Sequence, residues 1–441
     1  MKKRHFDMIR GMILENYKSF GKLDLNLQKG GEPKSVVAIY GENGSGKSNI
    51  ISVFKNLILS FQTLNNQDRL LDFQSNIPKN NLVDKTSLLE VFEDSYMLDT
   101  TDDMRVKINF QVNDSDGYYE LIFKKVDGKP YLYSEELYYL IKKASGTVFK
   151  IKGTKNGPNQ IEFSPSLFAN TKFRDLAQDM VNRLWGKHSF LAIFNNLIEK
   201  SNKEYVESNV SANFLNLIRT FNTVAFRGDD STGVNTFNGL LPDMIKGTLN
   251  KNQSDELITT TSNALNKYLV PLYSDLMEVY YQTERTEEGI HYELFERKRM
   301  GGRVLNLPFR LESHGTKELL KLFPLFLNAV NGKTVVIDEI DQGIHDLLVD
   351  TLVDNLKDDI EGQLIFTTHD TEVMKELDVS ALYVIQIDIN GNKKVETLSK
   401  NNKRNIAAHN NIQKKYLEGY FAGIPYSSEV DFYDILNDLE V

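Results

Sequence analysis

The sequence contains no cysteine, so it offers no disulfide, no thiolate metal site and no thiol nucleophile. This suits a reducing compartment, and we expect a cytoplasmic protein. A long apolar run is also missing, because the best candidate, residues 319–330, is broken by Lys321 and Pro324. The basic N-terminus is followed by no apolar segment, which argues against a signal peptide. We therefore expect no membrane span.

Positive charge is the scarcer sign. The 441 residues include 52 Lys and Arg against 61 Asp and Glu, which gives a net charge of −9. Proteins that bind nucleic acid usually carry a net positive charge, so this net negative charge argues against such a function. A local basic groove can still occur on a protein that is acidic overall. Nucleic acid is therefore a partner that the net charge does not support. No heptad repeat is sustained, so a long coiled-coil arm is not expected either.

The most informative segment that is present is a glycine-rich loop at residues 41–48, which matches the G-x-x-x-x-G-K-[ST] pattern. An apolar run, residues 36–40, precedes it as a predicted strand, and helical spacing of apolar residues follows it. A chance glycine turn is the alternative, and these flanks argue against it. The pattern predicts a nucleoside-triphosphate site whose residues are Gly41, Asn43, Gly44, Ser45, Gly46, Lys47, Ser48 and Asn49.

Two of these loop residues have defined chemistry. Lys47 is expected to reach the β- and γ-phosphates, where it supports catalysis, and Ser48 to hold Mg²⁺. Two carboxylates, Asp338 and Glu339, follow the apolar run 335–337. We expect Asp338 to hold Mg²⁺ opposite Ser48, and Glu339 to polarise the attacking water. A solvated acidic turn is the alternative reading of this pair.

A third apolar run, residues 363–368, ends at His369. Ends of neighbouring parallel strands are where α/β sheets place ligands, so His369 is expected to hydrogen-bond the γ-phosphate or the water, although a lone histidine is often structural. A glutamine that senses the γ-phosphate and metal is also expected. Gln74 and Gln111 are both candidates for that role, and the sequence does not choose between them.

A further phosphate-binding segment opens a predicted helix at residues 312–316, Glu-Ser-His-Gly-Thr. Ser313 and Gly315 could offer a hydroxyl and backbone N–H groups to a phosphate. One phosphate cradle already exists at the loop, so a second one makes sense if each nucleotide is shared with another subunit. The alternative is an ordinary helix N-cap.

The order of these motifs resembles the ABC-type ATPase heads of the structural-maintenance, RecF and overcoming-lysogenisation-defect classes. The turn at residues 15–20 looks like the one that opens many such heads, which implies that Lys18 approaches the nucleotide. The resemblance implies an α/β fold: a mixed β sheet plus a parallel core with flanking helices, an antiparallel β meander and an inserted helical subdomain. We expect the head to comprise residues 1–163 and 278–400, the helical insertion residues 164–277, and the tail residues 401–441.

Three stretches are similar to a stand-alone subgroup, the AAA15-type ATPases, which include the RloA and AbiL abortive-infection proteins. They are the Glu-Ser-x-Gly-Thr signature at 312–316, the Asp-Glu-Ile-Asp-x-Gly-Ile-His run at 338–345, and the ending at 415–425. Departures from the patterns occur at His314, where the general signature has glycine, at His345, where the general pattern has aspartate, and at Ala422-Gly423. These departures leave the details of the contact between subunits open.

The subgroup resemblance implies a slow, Mg²⁺-dependent ATPase that forms a homodimer around two ATP molecules, or a larger homo-oligomer, and controls an anti-phage effector. Only 41 residues follow Lys400 (441 − 400), whereas a Toprim nuclease domain needs about a hundred. We therefore expect the Toprim or nuclease-like effector to be a separate chain. Two alternatives are a DNA-repair or chromosome-maintenance ATPase and a non-hydrolysing nucleotide-sensing scaffold.

Overall fold

A computed structural model describes residues 7–73, 85–228, 236–250, 255–399, 412–421, 423–424 and 430–439. The strands, in chain order, are β1 Met8–Tyr17, β2 Phe20–Asn26, β3 Gln28–Lys29, β4 Glu32–Pro33, β5 Val36–Tyr40, β6 Met104–Val112, β7 Ser115–Val126, β8 Lys129–Leu140, β9 Ser145–Thr154, β10 Gly157–Phe163, β11 Ala225–Arg227, β12 Lys246–Leu249, β13 Leu276–Arg285, β14 Ile290–Met300, β15 Arg303–Pro308, β16 Thr334–Ile337, β17 Gln363–Thr367, β18 Leu382–Ile387 and β19 Lys393–Thr397. The helices are α1 Lys47–Phe73, α2 Leu88–Val91, α3 Thr171–Leu184, α4 Phe190–Lys200, α5 Lys203–Asn209, α6 Ala212–Asn222, α7 Asp255–Leu269, α8 His314–Val330, α9 Asp346–Lys357, α10 Ile412–Leu417 and α11 Phe432–Asp438.

A six-stranded sheet with the order β11-β16-β17-β5-β18-β19 forms the centre of the molecule. All neighbours in it are parallel except β18 and β19, which are antiparallel. The strand β5 comes from the beginning of the chain, and β16 to β19 come from its C-terminal third. The predicted parallel core built from two distant parts of the sequence is therefore confirmed.

The strand β5 shows why this sheet needs layers on both sides. All five of its residues are buried. Val37 and Ile39 belong to one apolar cluster, whereas Val36, Ala38 and Tyr40 belong to another. Because successive side chains of a strand point to opposite faces, this division requires cover on each face. Residues of α1 lie in the first cluster, and residues of α8 and α9 lie in the second.

A seven-stranded antiparallel sheet, β10-β9-β8-β7-β6-β1-β2, forms a second layer. The strand β1 pairs with β6 along most of its length, so β1 and β2 join the antiparallel meander. The strict alternation of buried residues in β6 gives this sheet one apolar face for α1 to cover.

The predicted helical insertion at residues 164–277 contains more than helices. Four helices, α3 to α6, fill its first half. The short strand β11 then enters the central sheet beside β16, and β12 joins a separate four-stranded sheet with β13, β14 and β15. In the described part of residues 240–276, α7 is the one α-helix, and β12 precedes it. None of the described helices has the length and apolar character needed to cross a bilayer.

Candidate functional site

The loop Gly41–Ser48 connects β5 to α1, as the sequence predicts. The Lys47 ammonium donates hydrogen bonds to the carbonyl oxygens of Gly41 at 2.8 Å and Glu42 at 3.2 Å, so the side chain folds back over the loop. Burial lowers the pKa of Lys47, and the charges of Glu339 and Asp338 oppose that change. The structure therefore brings the loop lysine and both predicted carboxylates into one electrostatic site.

Close contacts explain two of the loop glycines. A Cβ on Gly41 would lie 2.5 Å from the Oγ of Ser45, a hydroxyl that is buried and has no hydrogen-bond partner. Gly46 has φ of +113°, and a Cβ there would meet the ring of Phe20 at 3.0 Å. The loop is thus closed from one side by the turn that joins β1 to β2. Asn43, Gly44 and Ser48 are exposed on its other side.

The two carboxylates follow the end of β16, and Thr367 at the end of β17 holds their turn. The Thr367 hydroxyl donates to Asp338 Oδ1 at 2.5 Å and accepts from the Glu339 N–H at 2.7 Å. Glu339 has φ of +48°, a left-handed conformation that costs a non-glycine residue roughly 1–2 kcal/mol. Strain of this kind at a polar turn is typical of functional sites, since the surrounding contacts must maintain it.

His369 lies two residues beyond β17 and is exposed. Its backbone N–H donates to Asp341 Oδ2 at 3.2 Å, which ties it to the turn that carries Asp338 and Glu339. The next residue, Asp370, is buried, and its Oδ1 accepts from the Glu372 N–H at 2.8 Å. Burial, together with the nearby carboxylates, raises the pKa of Asp370 to about 6. His369 is therefore exposed at the end of the sheet, next to the carboxyl groups of Asp341 and Asp370.

The segment Glu312–Thr316 opens α8 with an N-cap, so the structural alternative for this segment is realised. Ser313 Oγ accepts from the Thr316 N–H at 3.2 Å, while Ser313 itself stays exposed. A Cβ on Gly315 would lie 2.5 Å from the carbonyl oxygen of Gly343, so the helix start packs tightly on the turn after Asp341. In the described chain, no hydrogen bond or ion pair joins this segment to the loop of its own subunit.

The remaining predicted residues fall in different places. Lys18 lies in the β1–β2 turn, where burial and then Lys55 lower its pKa and Asp338 is among the charges that oppose this. Asn49 donates to Ser19 Oγ at 2.7 Å and so braces that turn. Gln111 pairs with Met8, at the opposite end of β1 from the turn, so the structure does not bring it to the loop. Gln74 lies outside the described residues.

Sequence reasoning missed three residues that touch this site. Thr367 is the last residue of a buried strand, so its sequence pattern predicts only a core position. A hydroxyl residue at the end of a strand that neighbours the strand carrying the acidic pair could have indicated its role. Lys393 donates to the Gly44 carbonyl at 2.8 Å from β19. The carbonyl of Arg227 accepts from the Asp338 N–H at 2.8 Å. The last two contacts depend on strands far away in the sequence, so no local pattern could reveal them.

The donor set fits a magnesium nucleotide. Within the described ranges, no group of three or more His, Cys, Asp or Glu could hold a metal ion by itself. Mg²⁺ is usually bound by one or two protein oxygens together with substrate phosphates, and the Ser48 hydroxyl and the Asp338 carboxylate are oxygens of this kind. The unpartnered Ser45 hydroxyl, buried inside the loop, adds a polar atom at the phosphate cradle.

A family model described as "AAA domain, putative AbiEii toxin, Type IV TA system" matches residues 36–375. This range begins at β5 and includes the loop, the signature segment, the acidic pair and His369. All of these segments therefore lie within the one matched domain. Among curated proteins, none matches the chain.

Three solved structures are similar to the chain at low identity. The SMC head domain from Thermotoga maritima is 17% identical, with a TM-score of 0.38, covering 88% of this chain and 98% of that one. The Smc head domain with an extended coiled coil, bound to the C-terminal domain of ScpA, from Pyrococcus furiosus is 16% identical, with a TM-score of 0.42, covering 94% and 100%. The recombination mediator protein RecF-ATPrS is 14% identical, with a TM-score of 0.36, covering 90% and 100%.

Proposed function

Because the chain belongs to the family of AAA domains of the AbiEii-toxin type, we propose that it is a Mg²⁺-dependent ATPase that works as a switch. The observation that carries the proposal is the meeting of Lys47, which follows β5, with Asp338 and Glu339, which follow β16, across the end of the intervening strand β17. A nucleotide-sensing scaffold needs only the loop. A strained Glu339 held by a dedicated hydroxyl supports hydrolysis as well as binding.

Each residue has a role in this proposal. The loop amides and Lys47 bind the phosphates, and Ser48 and Asp338 hold the metal, which neutralises phosphate charge. Glu339 orients the attacking water and accepts its proton, and His369 hydrogen-bonds the γ-phosphate. Thr367 keeps Asp338 and Glu339 in a fixed relative orientation. These groups lie on the ends of rigid strands, which suits a site that depends on positioning.

The proposed switch is an ATP-dependent contact between two copies of the chain. Ser313 is exposed at the start of a 17-residue helix and is not linked to the loop of its own subunit. Its Oγ accepts from the Thr316 N–H and lies 2.9 Å from Thr316 Oγ1, and we expect this hydroxyl to reach a phosphate oxygen of the partner subunit's nucleotide. The N-terminus of α8 would favour the same anion. Two ATP molecules would then join a homodimer, or build a larger homo-oligomer.

We also propose that the chain belongs to a particular subgroup of these ATPases. The motif resemblance supports membership of the AAA15, RloA and AbiL-like subgroup, and hence a role in abortive infection with a separate Toprim or nuclease-like effector in the cytoplasm. The matched family, described as a putative AbiEii toxin of a type IV TA system, is the coarser support for this assignment. Identifying the neighbouring gene product and testing whether it co-purifies with the ATP-bound chain would examine this assignment directly.

The central test is the Glu339→Gln variant, which keeps the side-chain size and removes the proton acceptor. We expect steady-state ATP hydrolysis to fall by roughly 100-fold or more and ATP-bound oligomers to accumulate in analytical ultracentrifugation. Hydrolysis at the wild-type rate would refute the role of Glu339. The same assay with duplex DNA separates the alternatives, since strong stimulation by DNA would favour the chromosome-maintenance function.

The contact between subunits is tested separately with Ser313→Arg. A bulky cation at this exposed position should abolish ATP-dependent association and leave binding of a fluorescent ATP analogue at the loop largely intact. His314→Arg, at the adjacent exposed position, is the matched control for added positive charge. Equal association by wild type and Ser313→Arg would contradict the shared site.

A further inference from the structure

The residue before Ser313 is anchored to a neighbouring strand by charge. Glu312 Oε1 accepts from the Lys298 ammonium on β14, and Glu312 Oε2 accepts from the Ser313 N–H at 3.1 Å. The side chains of Lys298 and Glu312 are only 10% and 12% exposed. A single carboxylate thus connects the backbone of the signature serine to the four-stranded sheet.

A second carboxyl group, Glu296, lies two residues before Lys298 on the same face of β14. Its side chain is 2% exposed and one oxygen is 3.4 Å from Lys298. Its neighbours across the sheet are Val279 and Leu307, so it sits between apolar residues. Its Oε2 is buried without a hydrogen-bond partner, which is costly for an ionised carboxylate.

The two carboxyl groups share Lys298 as an ion-pair partner. Burial, and then the hydrogen bond with Glu312, raises the pKa of Glu296 to about 8. Burial also acts to raise the pKa of Glu312, but hydrogen bonds from Glu296 and Lys298 outweigh it and lower that pKa to about 2. Burial therefore favours the neutral form of Glu296, whereas Glu312 favours its charged form, which faces Lys298.

The groups around this pair complete the arrangement. Lys298 also lies near Asp275, and its ammonium is 5.6 Å from the centre of the Tyr273 ring. The Tyr273 hydroxyl donates to Thr316 Oγ1 at 3.1 Å, and Thr316 Oγ1 is 2.9 Å from Ser313 Oγ. Lys298 on β14 is therefore connected to Ser313 by two sets of contacts. One runs through Glu312, and the other runs through Tyr273 and Thr316.

We propose that Glu296 and Lys298 are positioning residues that fix Ser313 through Glu312, and that ATP-dependent association requires the buried Glu296 in its neutral form. Ionisation of Glu296 would place two carboxylates against one ammonium and release Glu312 from its fixed geometry. The inference rests on the proposed function of Ser313 as the contact to the partner subunit's nucleotide. It adds a mechanism by which proton concentration would control that contact.

The first test removes the ammonium in the ATP-trapping Glu339→Gln background. Lys298→Met should weaken ATP-dependent association by roughly tenfold or more, the order expected for a lost hydrogen bond to a charged group. Lys298→Arg should restore most of it. Arg297→Met is the matched control, because Arg297 is the exposed neighbour on the same strand and pairs with Glu278 at the surface. Binding of a fluorescent ATP analogue should stay within about twofold in all variants.

The second test varies pH in the same background, from pH 6.5 to 9. Association of the chain with Glu296 intact should decline as pH rises past about 8. Glu296→Gln, which keeps a hydrogen-bond donor and cannot ionise, should associate equally well across the range. An identical decline in both chains would overturn the inference. This variant is nearly isosteric, so it decides the question even if Lys298→Met does not fold.

Failure of the proposed function and failure of the positioning role give different results. If the Glu339→Gln chain does not associate with ATP at any pH, the proposed function itself is wrong. If it associates and Ser313→Arg abolishes this, while Lys298→Met and Glu296→Gln behave like their parent at every pH, only the positioning role is wrong. Melting temperatures of each variant show whether a loss of association reflects unfolding.

Discussion

Arg227, the last residue of β11, forms an ion pair with Glu318 on α8, and their side chains are only 11% and 7% exposed. The pair joins the edge strand beside the acidic turn to the helix that begins at Ser313. We expect Arg227→Met to lower the free energy of unfolding by about 2 kcal/mol, because Glu318 keeps Lys321 as a second cation at 2.7 Å. Urea denaturation measures this effect.

Arg219→Met is the control for that prediction. Arg219 pairs with Glu207, but both side chains are well exposed, at 58% and 42%. Loss of an exposed ion pair should change stability by less than about 0.5 kcal/mol. If both variants lowered the free energy of unfolding by the same amount, the burial of the Arg227–Glu318 pair would not make it more stabilising than the exposed Arg219–Glu207 pair.

A second prediction concerns Thr367, whose hydroxyl bridges Asp338 and the Glu339 N–H. Thr367→Val preserves the shape of the side chain but removes the bridge, so Glu339 can leave its strained conformation. We expect kcat for ATP hydrolysis to fall by roughly 10- to 100-fold, with a much smaller change in KM. Thr367→Ser should recover most of the rate, and a rate unchanged in the valine variant would contradict this role.

Gly315 provides a third prediction, because its Cα faces the Gly343 carbonyl at close range. Gly315→Ala would place a methyl group 2.5 Å from that oxygen, so the start of α8 must move away from the acidic turn. We expect ATP-dependent association to be lost and the melting temperature to fall by several degrees. Gly21→Ala is the control, since a Cβ at Gly21 meets nothing within 4 Å.

A fourth prediction concerns acid stability and His188, which is fully buried between Thr63 and Gln67. Burial, and then the charge of Lys187, lowers the pKa of His188 from 6.5 to about 4. A depressed histidine pKa means that the unfolded chain binds the proton more readily. The stabilising contribution of neutral His188 is therefore complete above pH 6.5 and is lost as pH falls towards 4, by up to about 3 kcal/mol.

Thermal unfolding across this pH window tests that sign. In His188→Gln, the loss of stability between pH 6.5 and 4 should be smaller than in the wild type, because no buried group must gain a proton. His291→Gln, in the β13–β14 hairpin, should keep the wild-type pH dependence. A wild-type chain that becomes more stable over the same acidic range would contradict the prediction.

The sequence predicts those site residues that lie close together along the chain. The loop at residues 41–48 and the pair Asp338-Glu339 each lie within a few positions of the strand that presents them, so pattern and flanks were sufficient. β11 was not predictable, because three residues carry no periodicity and their partners on β16 are 110 positions away (335 − 225). The same holds for Lys298 and Glu312, whose pairing depends on how the β14–β15 hairpin folds back on α8.

The central sheet has a consequence for how the protein is made. Strand β5, which ends at Tyr40, lies between β17 and β18, yet β17 begins 323 positions later (363 − 40). At a synthesis rate of about 5–20 residues per second, this separation corresponds to a delay of roughly 16–65 s on the ribosome. During that time β5 has one apolar face that α1 can cover and another whose partners do not yet exist. A nascent chain therefore completes the central sheet around its ATP site only after β17 and β18 have been synthesised.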